Sequence, residues 1–157
     1  MARMRIIIDT DPGQDDAVAL LLALAERDAL DLMGITTVAG NVPLPLTTAN
    51  ALRILEVANR GDVPVFPGAS QPLLRELRTA EFVCGADGLE GAGLPLPRLA
   101  PQARHAVTFL IDTLKAAADR SVTLCPLGPL TNIALAFAQE PALASKVERI
   151  VLMGGAR

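Results

Sequence analysis

The sequence of 157 residues is long enough for one domain with a hydrophobic core, but too short for a second domain of ordinary size. Hydrophobic residues make up 51% of it, with no Trp and no Tyr, a composition that favours parallel strands covered by helices. The 14 basic and 17 acidic residues give a formal charge of −3, which disfavours nucleic acids and anionic membranes as partners. We therefore expect a single α/β domain over residues 1–157.

Disulfide bonds and membrane insertion are not indicated. The 2 cysteines, Cys84 and Cys125, are far apart and lack C-x-x-C spacing, which argues against a disulfide framework and against a zinc site. Residues 1–5 lead directly into a strand pattern rather than a signal peptide, and no apolar run approaches the roughly 18 residues of a transmembrane helix. These features predict a cytoplasmic protein.

The first part of the chain predicts strands and helices in alternation. Three isoleucines in residues 5–9 are followed by Pro12 and Gly13, which is typical of a buried strand and a turn. Gly61 follows the second predicted helix, where a left-handed residue is expected. The predicted elements are strands at 5–9, 30–38 and 63–66 and helices at 15–27 and 46–59.

Residues 67–101 are rich in glycine, proline and charge, and we expect them to form a functional loop or flap. Regular elements return after this segment. They are helices at 105–118 and 129–139 and strands at 121–124 and 148–153, the last ending in Gly154 and Gly155. Strands and helices joined by such short links predict a mostly parallel sheet flanked by helices.

Ligands bind to open sheets of this kind beyond the carboxyl ends of the strands. The most unusual segments of the sequence are predicted to lie there: residues 9–16, 38–42, 125–129 and 153–155. We therefore expect the functional residues to meet at this edge of the sheet.

The first strand exit is strongly acidic, because Asp9, Asp11, Asp15 and Asp16 place four carboxylates within eight residues. Helix capping by Asp15 and a macrodipole interaction of Asp16 would contribute about 0.3–1 kcal/mol per charge, and would explain only two of them. Asp9 and Asp11 lie on one side of an extended strand, and the following proline-glycine turn lets the helix start face them. With no histidine or cysteine nearby, an oxygen cage for a hard cation such as Ca²⁺ is favoured over capping alone.

The acidic run is also the first part of a family resemblance. Asp9-Thr10-Asp11-Pro12-Gly13-Gln14-Asp15-Asp16-Ala17 resembles the signature of the inosine- and uridine-preferring nucleoside hydrolases, and the similarity continues along the chain. The further matching segments are Ala39-Gly40-Asn41-Val42, Gly128-Pro129-Leu130-Thr131-Asn132 and Met153-Gly154-Gly155. Family members are much longer, so the resemblance implies that this chain is their N-terminal half and is truncated at its C-terminus.

The resemblance implies a Ca²⁺-dependent enzyme that hydrolyses the N-glycosidic bond of ribonucleosides with a water acidified by the ion. Carried over by position, the ion's ligands would be Asp11, Asp15, Asp16 and the backbone carbonyl of Leu127. Asp11 would also act as the general base.

Other positions carry further expectations. Asn41 and Met153 would contact the ribonucleoside, while Asp9 would hold the turn and Asp11 in place. Cys84 departs from the family pattern, since many relatives have histidine there. Another aspartate ligand and the leaving-group acid would lie in the C-terminal half. A sheet cut after Met153 would leave apolar surfaces uncovered, so we expect a homo-oligomer.

Two alternatives remain open at this point. A Mg²⁺-dependent phosphohydrolase could use Asp9 as nucleophile and Asp11 as acid and base, although the turn and the pair Asp15-Asp16 fit that chemistry poorly. A truncated relative could instead keep the fold and bind a metal or ligand without catalysis.

The remaining polar candidates have structural interpretations. His105, the only histidine, begins a predicted helix, where an exposed or capping role is expected rather than catalysis. Cys125 at a strand end is expected to be a small buried hydrophobe. Asn50 and Asn132 fall in predicted helices and are expected to bond to loop backbone groups.

Overall fold

The computed structural model describes residues 2–154, which form a five-stranded sheet. The strands, in chain order, are β1 (Met4–Thr10), β2 (Leu30–Thr37), β3 (Val65–Pro67), β4 (Val122–Pro126) and β5 (Val147–Ile150). Their order in the sheet is β3-β2-β1-β4-β5, and all four neighbouring pairs are parallel. The predicted α/β fold class is confirmed. Gly155, the predicted end of the last strand exit, lies outside the described residues.

Helices connect the strands as the apolar periodicity predicts. They are α1 (Gln14–Ala25), α2 (Leu44–Val57), α3 (Glu81–Cys84), α4 (Ala106–Ala116), α5 (Thr131–Gln139) and a 3₁₀ helix at Pro141–Lys146. In the segment 67–101, predicted to be irregular, Pro67 ends β3, and the described residues after it contain only the four-residue helix α3 as regular structure.

Alternate side chains of the central strand β1 enter different hydrophobic cores. Ile6 and Ile8 pack with side chains of α1 and α2 on one face, whereas Ile7 packs with side chains of α4 and α5 on the other. All three are at most 4% exposed. Burying a side chain of this size contributes about 1.5–3 kcal/mol, so the sheet is stabilised from both faces, as parallel sheets require.

The strand order creates a crevice at the carboxyl ends of β1 and β4. After β1 the chain adds β2 and β3 on one side, and it then returns to place β4 on the other side of β1. Ligands bind in open α/β sheets at such a reversal of strand order. Asp9 is in register with Thr36 of β2 and Pro126 of β4, so three strand exits lie beside one another there.

Two local predictions need correction. The left-handed residue after α2 is Asn59, with φ of 51°, and not Gly61, because α2 ends at Val57 and the chain turns earlier than predicted. The last strand ends at Ile150 rather than at residue 153. The backbone nonetheless continues to bond to β4, since Met153 N donates to Pro126 O at 3.0 Å.

No helix of the residues 2–154 combines the length and the hydropathy that crossing a membrane requires.

Candidate functional site

The turn after β1 is organised by Asp16. Its Oδ2 accepts the Gly13 N–H at 3.1 Å, and its Oδ1 accepts a hydrogen bond from Thr10 Oγ1 at 2.6 Å. Asp16, the third residue of α1, therefore satisfies the backbone N–H of the N-cap residue Gly13, whereas Asp15 is exposed and is not the N-cap residue, so the alternative of capping by Asp15 does not hold. Burial raises the pKa of Asp16 above its usual value.

Asp11 occupies the centre of the site. Its side chain is 5% exposed, and its Oδ2 accepts the backbone N–H of Asn41 at 2.7 Å. The Asn41 side chain donates to the Asp11 carbonyl at 2.9 Å, so Asn41 fixes both the carboxylate and the backbone. Burial, and to a smaller degree the charges of Asp16 and Asp9, raise the pKa of Asp11 to about 7.

Two glycines make room for this carboxylate. A β-carbon on Gly40 would lie 2.0 Å from Asp11 Oδ2, and one on Gly128 would lie 2.3 Å from Oδ1. No real β-carbon approaches an oxygen so closely. The backbone at the exits of β2 and β4 therefore packs directly against the Asp11 carboxylate. Any residue other than glycine at these two positions would displace it.

Asp9 lies behind Asp11 and is completely buried. Its Oδ1 accepts hydrogen bonds from Thr36 Oγ1 at 2.5 Å and from Asn132 Nδ2 at 2.8 Å, whereas its Oδ2 is buried without a partner among residues 2–154. Burial raises the pKa of Asp9 to about 6, although both hydrogen bonds favour the charged form. A fully buried carboxylate cannot reach a phosphate from solvent, which argues against Asp9 as the nucleophile of a phosphohydrolase.

Asp15 is exposed beside the turn, next to Cys84. A β-carbon on Gly13 would lie 3.4 Å from both Asp15 Oδ1 and Cys84 Sγ, and 3.0 Å from Asn41 Nδ2. The three side chains therefore surround the same glycine. Burial, followed by the neighbouring carboxylates, raises the pKa of the Cys84 thiol.

The remaining predicted residues lie at the exits of β4 and β5. Leu127 N donates to the Asp9 carbonyl at 2.7 Å, which holds the Leu127 peptide beside the acidic turn. Met153 follows β5, and its side chain is 54% exposed. The structure thus brings Asp9, Asp11 and Leu127 into direct proximity, while Met153 remains on the open side of the sheet.

The site is anionic and made of oxygen donors. Among residues 2–154, no ion pair involves Asp9, Asp11 or Asp16. In the same residues, no group of three His, Cys, Asp or Glu side chains is arranged to hold a metal by itself. Buried carboxylates without a basic partner fit a hard cation, but its shell would need backbone, water or substrate oxygens as well.

Several residues outside the carboxylate group have the roles predicted from the sequence, and two others have roles that were not predicted. His105 is the N-cap of α4 and accepts the Val107 N–H at 3.2 Å, and Asn132 accepts the N–H of the loop residue Ala69 at 2.8 Å, as expected. The hydroxyls of Thr10 and Thr36 were missed. Their position at the ends of two otherwise apolar strands was the available signal.

Parallel strands, a reversal of strand order and a carboxylate group at that point define an α/β protein with an acidic ligand site at its switch point. The family model described as inosine-uridine preferring nucleoside hydrolase matches residues 6–157. The chain belongs to this family, whose members depend on a metal ion.

Individual relatives support the assignment. The chain is 52% identical over 153 residues to an uncharacterised protein of Schizosaccharomyces pombe, covering 98% of this chain and 49% of the relative. It is 52% identical over 151 residues to the pyrimidine-specific ribonucleoside hydrolase RihA of Shewanella sp. (strain MR-7), covering 96% and 47%. It is similar in structure to a plant nucleoside hydrolase, the PpNRh1 enzyme, with a TM-score of 0.91 and 43% identity over 99% of this chain and 49% of that one. The chain thus spans about half the length of these relatives.

Proposed function

We propose that this chain supplies the Asp11 site of an enzyme that hydrolyses the N-glycosidic bond of ribonucleosides to ribose and free base. The observation that carries the proposal is the buried Asp11 carboxylate, enclosed by Gly40 and Gly128 at the strand switch point and held by Asn41. The pyrimidine-specific and plant nucleoside hydrolases to which the chain is similar support the substrate class.

The cofactor in this proposal is Ca²⁺. We assign its protein ligands to Asp11, Asp15, Asp16 and the Leu127 carbonyl, because all four supply the hard oxygen atoms that Ca²⁺ prefers, although the three carboxylates of this structure are not arranged as a metal-holding group and would have to converge on the ion. When bound, the ion supplies Lewis-acid assistance by holding the sugar hydroxyls and acidifying a water. Burial, and to a smaller degree the charge of Asp16, raises the pKa of Asp11 to about 7, and a bound cation would offset both effects.

The chemical step rests on Asp11 as general base. Asp11 removes a proton from water as the water oxygen bonds to the anomeric carbon, and the bond from that carbon to the base nitrogen breaks. The departing base takes a proton from an acid that we assign to the C-terminal half of the family-length chain. Asn41 keeps the Asp11 carboxylate oriented and contacts the sugar, and Met153 contacts the substrate from the open side.

Asp9 has a supporting role in this proposal. Its side chain faces Thr36 and Asn132 rather than the crevice, and its backbone carbonyl holds Leu127 N. Asp9 therefore helps to hold the acidic turn and the Leu127 peptide, which carry the proposed metal ligands, without touching the substrate.

The test is ribose release by a chain extended to the length of the relatives. We expect reducing sugar from uridine or inosine, and none from the corresponding monophosphates, because no Lys or Arg among residues 2–154 pairs with the carboxylates of the acidic turn. The Asp11→Asn variant should lose at least about 100-fold in kcat, the usual contribution of general-base catalysis. An Asp28→Asn variant, altered at an exposed aspartate of another turn, serves as the control. Faster cleavage of a monophosphate than of its nucleoside would overturn the assignment.

A further inference from the structure

Segment 80–90, which contains α3, lies against the acidic turn. Ala80 N donates to the Asn41 carbonyl at 2.8 Å, which attaches the start of the segment to the site. Cys84 is 5% exposed and lies beside Gly13. The segment thus forms one wall of the site. Residues 85–90, which follow Cys84, need further contacts to stay beside the turn.

Asn50 of α2 bonds to both the segment and the turn. It is completely buried, and its Nδ2 donates to the Asp87 carbonyl at 2.7 Å and to the Pro12 carbonyl at 3.2 Å. One amide group therefore connects the segment to the turn between Asp11 and Gly13. These two backbone carbonyls lie 75 positions apart in the sequence.

Arg53, one helical turn later, determines which way this amide points. Its Nη1 donates to Asn50 Oδ1 at 3.0 Å and lies 3.5 Å from Asp87 Oδ2, with which it forms an ion pair. Because guanidinium groups only donate, Asn50 must present its oxygen to Arg53 and its NH₂ to the two carbonyls. The Arg53 side chain is only 10% exposed, and its Nε is buried without a hydrogen-bond partner in the described part of the chain.

Gly88 allows the segment to approach so closely. A β-carbon there would lie 2.9 Å from Asn50 Nδ2 and 3.3 Å from the Pro12 carbonyl, and the residue has φ of +84°. Both the conformation and the space require glycine. The backbone of the segment is therefore built to contact Asn50 and the acidic turn together.

We propose that Asn50 and Arg53 are positioning residues that, together with Asp87, hold residues 84–90 closed on the acidic turn and so fix Cys84 as a wall of the site. The importance of this wall for substrate binding rests on the proposed function. The closure itself is a property of the 157-residue chain, and it is tested without substrate or metal.

The two cysteines provide the measurement. N-ethylmaleimide labelling of the native chain is followed at each cysteine by mass spectrometry of its peptide, with Cys84 reporting on the segment and the partly buried Cys125, at the end of β4, on the rest of the fold. Arg53→Met and Asp87→Ala each remove the ion pair. Because local opening limits the reaction of a buried thiol, we expect about a tenfold faster labelling of Cys84 in Arg53→Met, a smaller increase of about threefold in Asp87→Ala, whose side chain is 49% exposed, and an unchanged rate at Cys125 in both.

A matched control is available in Arg60→Met. Arg60 is 12% exposed, similar to Arg53, but it pairs with Asp62 and with the Leu24 carbonyl away from the segment. Its loss should leave the labelling of Cys84 unchanged. Arg53→Lys, which keeps the charge without the planar guanidinium, should give an intermediate rate.

Asp87→Ala keeps the test decisive if Arg53→Met fails to fold, since the Asp87 side chain is 49% exposed. Unchanged labelling of Cys84 in Asp87→Ala would overturn the proposal. So would a parallel increase at both cysteines, because it would show general loosening instead of local opening. Failure of the ribose-release assay leaves these rates unaffected, so the two proposals fail separately.

Discussion

The side-chain amide of Asn132 donates a hydrogen bond of 2.8 Å to the buried carboxylate of Asp9, although the residues are 123 positions apart. The same amide group donates to the Thr37 carbonyl at 3.0 Å, and Asn132 Oδ1 accepts the Ala69 N–H at 2.8 Å. One fully buried side chain of α5 thus bonds to the exits of β1, β2 and β3. Gly68 makes space for it, because a β-carbon there would lie 2.2 Å from Asn132 Oδ1.

We predict that Asn132→Ala lowers the free energy of unfolding by about 2–4 kcal/mol, because it removes hydrogen bonds to the buried Asp9 carboxylate, the Thr37 carbonyl and the part-buried Ala69 N–H. Urea denaturation followed by circular dichroism measures this difference. Gln139→Ala, at the exposed end of the same helix, is the control and should change stability by less than about 0.5 kcal/mol. Equal effects of the two substitutions would show that the Asn132 contacts contribute little.

The architecture could be predicted from the sequence because its signals are local. The isoleucines of β1 and the helical spacing of apolar residues in α4 are set by nearest neighbours along the chain, and both elements occur within two residues of their predicted bounds. The acidic run and the proline-glycine turn within it could also be identified from the sequence alone. Their position at the switch point followed from the general rule for ligand sites in open sheets.

Contacts between distant segments could not be predicted in the same way. The partner of Asn132 depends on the order of β1 and β4 in the sheet, and the contact between Cys84 and Gly13 depends on how an irregular segment folds back. The choice of Asp16 over Asp15 as the capping side chain depends on where α1 begins. Asp15 would be the N-cap residue only if α1 began two residues later, at Asp16.

We predict that Ca²⁺ raises the melting temperature of the chain and that Asp11→Asn, Asp15→Asn and Asp16→Asn each reduce this effect. A ligand that binds only the folded state stabilises it by RT ln(1 + [L]/Kd), about 2.7 kcal/mol at a hundredfold excess over Kd. Thermal melts in chelator and in added Ca²⁺ provide the comparison.

Two further variants serve as comparisons for the rise in melting temperature that Ca²⁺ causes. Asp28→Asn, at an exposed site away from the turn, should retain the full response. Asp9→Asn should reduce it less than the three ligand variants, since Asp9 faces Thr36 and Asn132. Identical shifts in the wild type and in the variants of Asp11, Asp15 and Asp16 would eliminate the metal site, and a larger loss in Asp9→Asn would make Asp9 a ligand.

We also predict that Gly40→Ala abolishes the calcium response. The new methyl group would lie 2.0 Å from Asp11 Oδ2 and must displace a carboxylate that Asn41 N holds in place. The overpacking should destabilise the fold by about 1–3 kcal/mol. Gly61→Ala, whose methyl group would meet only the flexible end of Leu99 at 3.2 Å, is the control and should preserve the response. A full calcium response in Gly40→Ala would show that Asp11 need not occupy its observed position.

The last prediction concerns the 157 residues by themselves, which should hydrolyse nucleosides slowly or not at all. His105, the only histidine, caps α4 through its Nδ1 and is not available to protonate a leaving base at the acidic turn. Leu152 and Met153, beyond the edge strand β5, are more than half exposed, so the substrate side of the site is open there.

Loss of acid assistance alone should lower the rate by about 10²- to 10⁴-fold, and an open site should lower it further through poorer orientation of the substrate. The measurement compares uridine and inosine hydrolysis by residues 1–157 with hydrolysis by a chain extended to the length of the relatives, at equal Ca²⁺. Asp11→Asn in both chains establishes the background, because it removes the general base from each. If the short chain turns over at a rate similar to that of the long one, and Asp11→Asn abolishes both activities, then the acid lies within these 157 residues and its assignment to the C-terminal half is wrong.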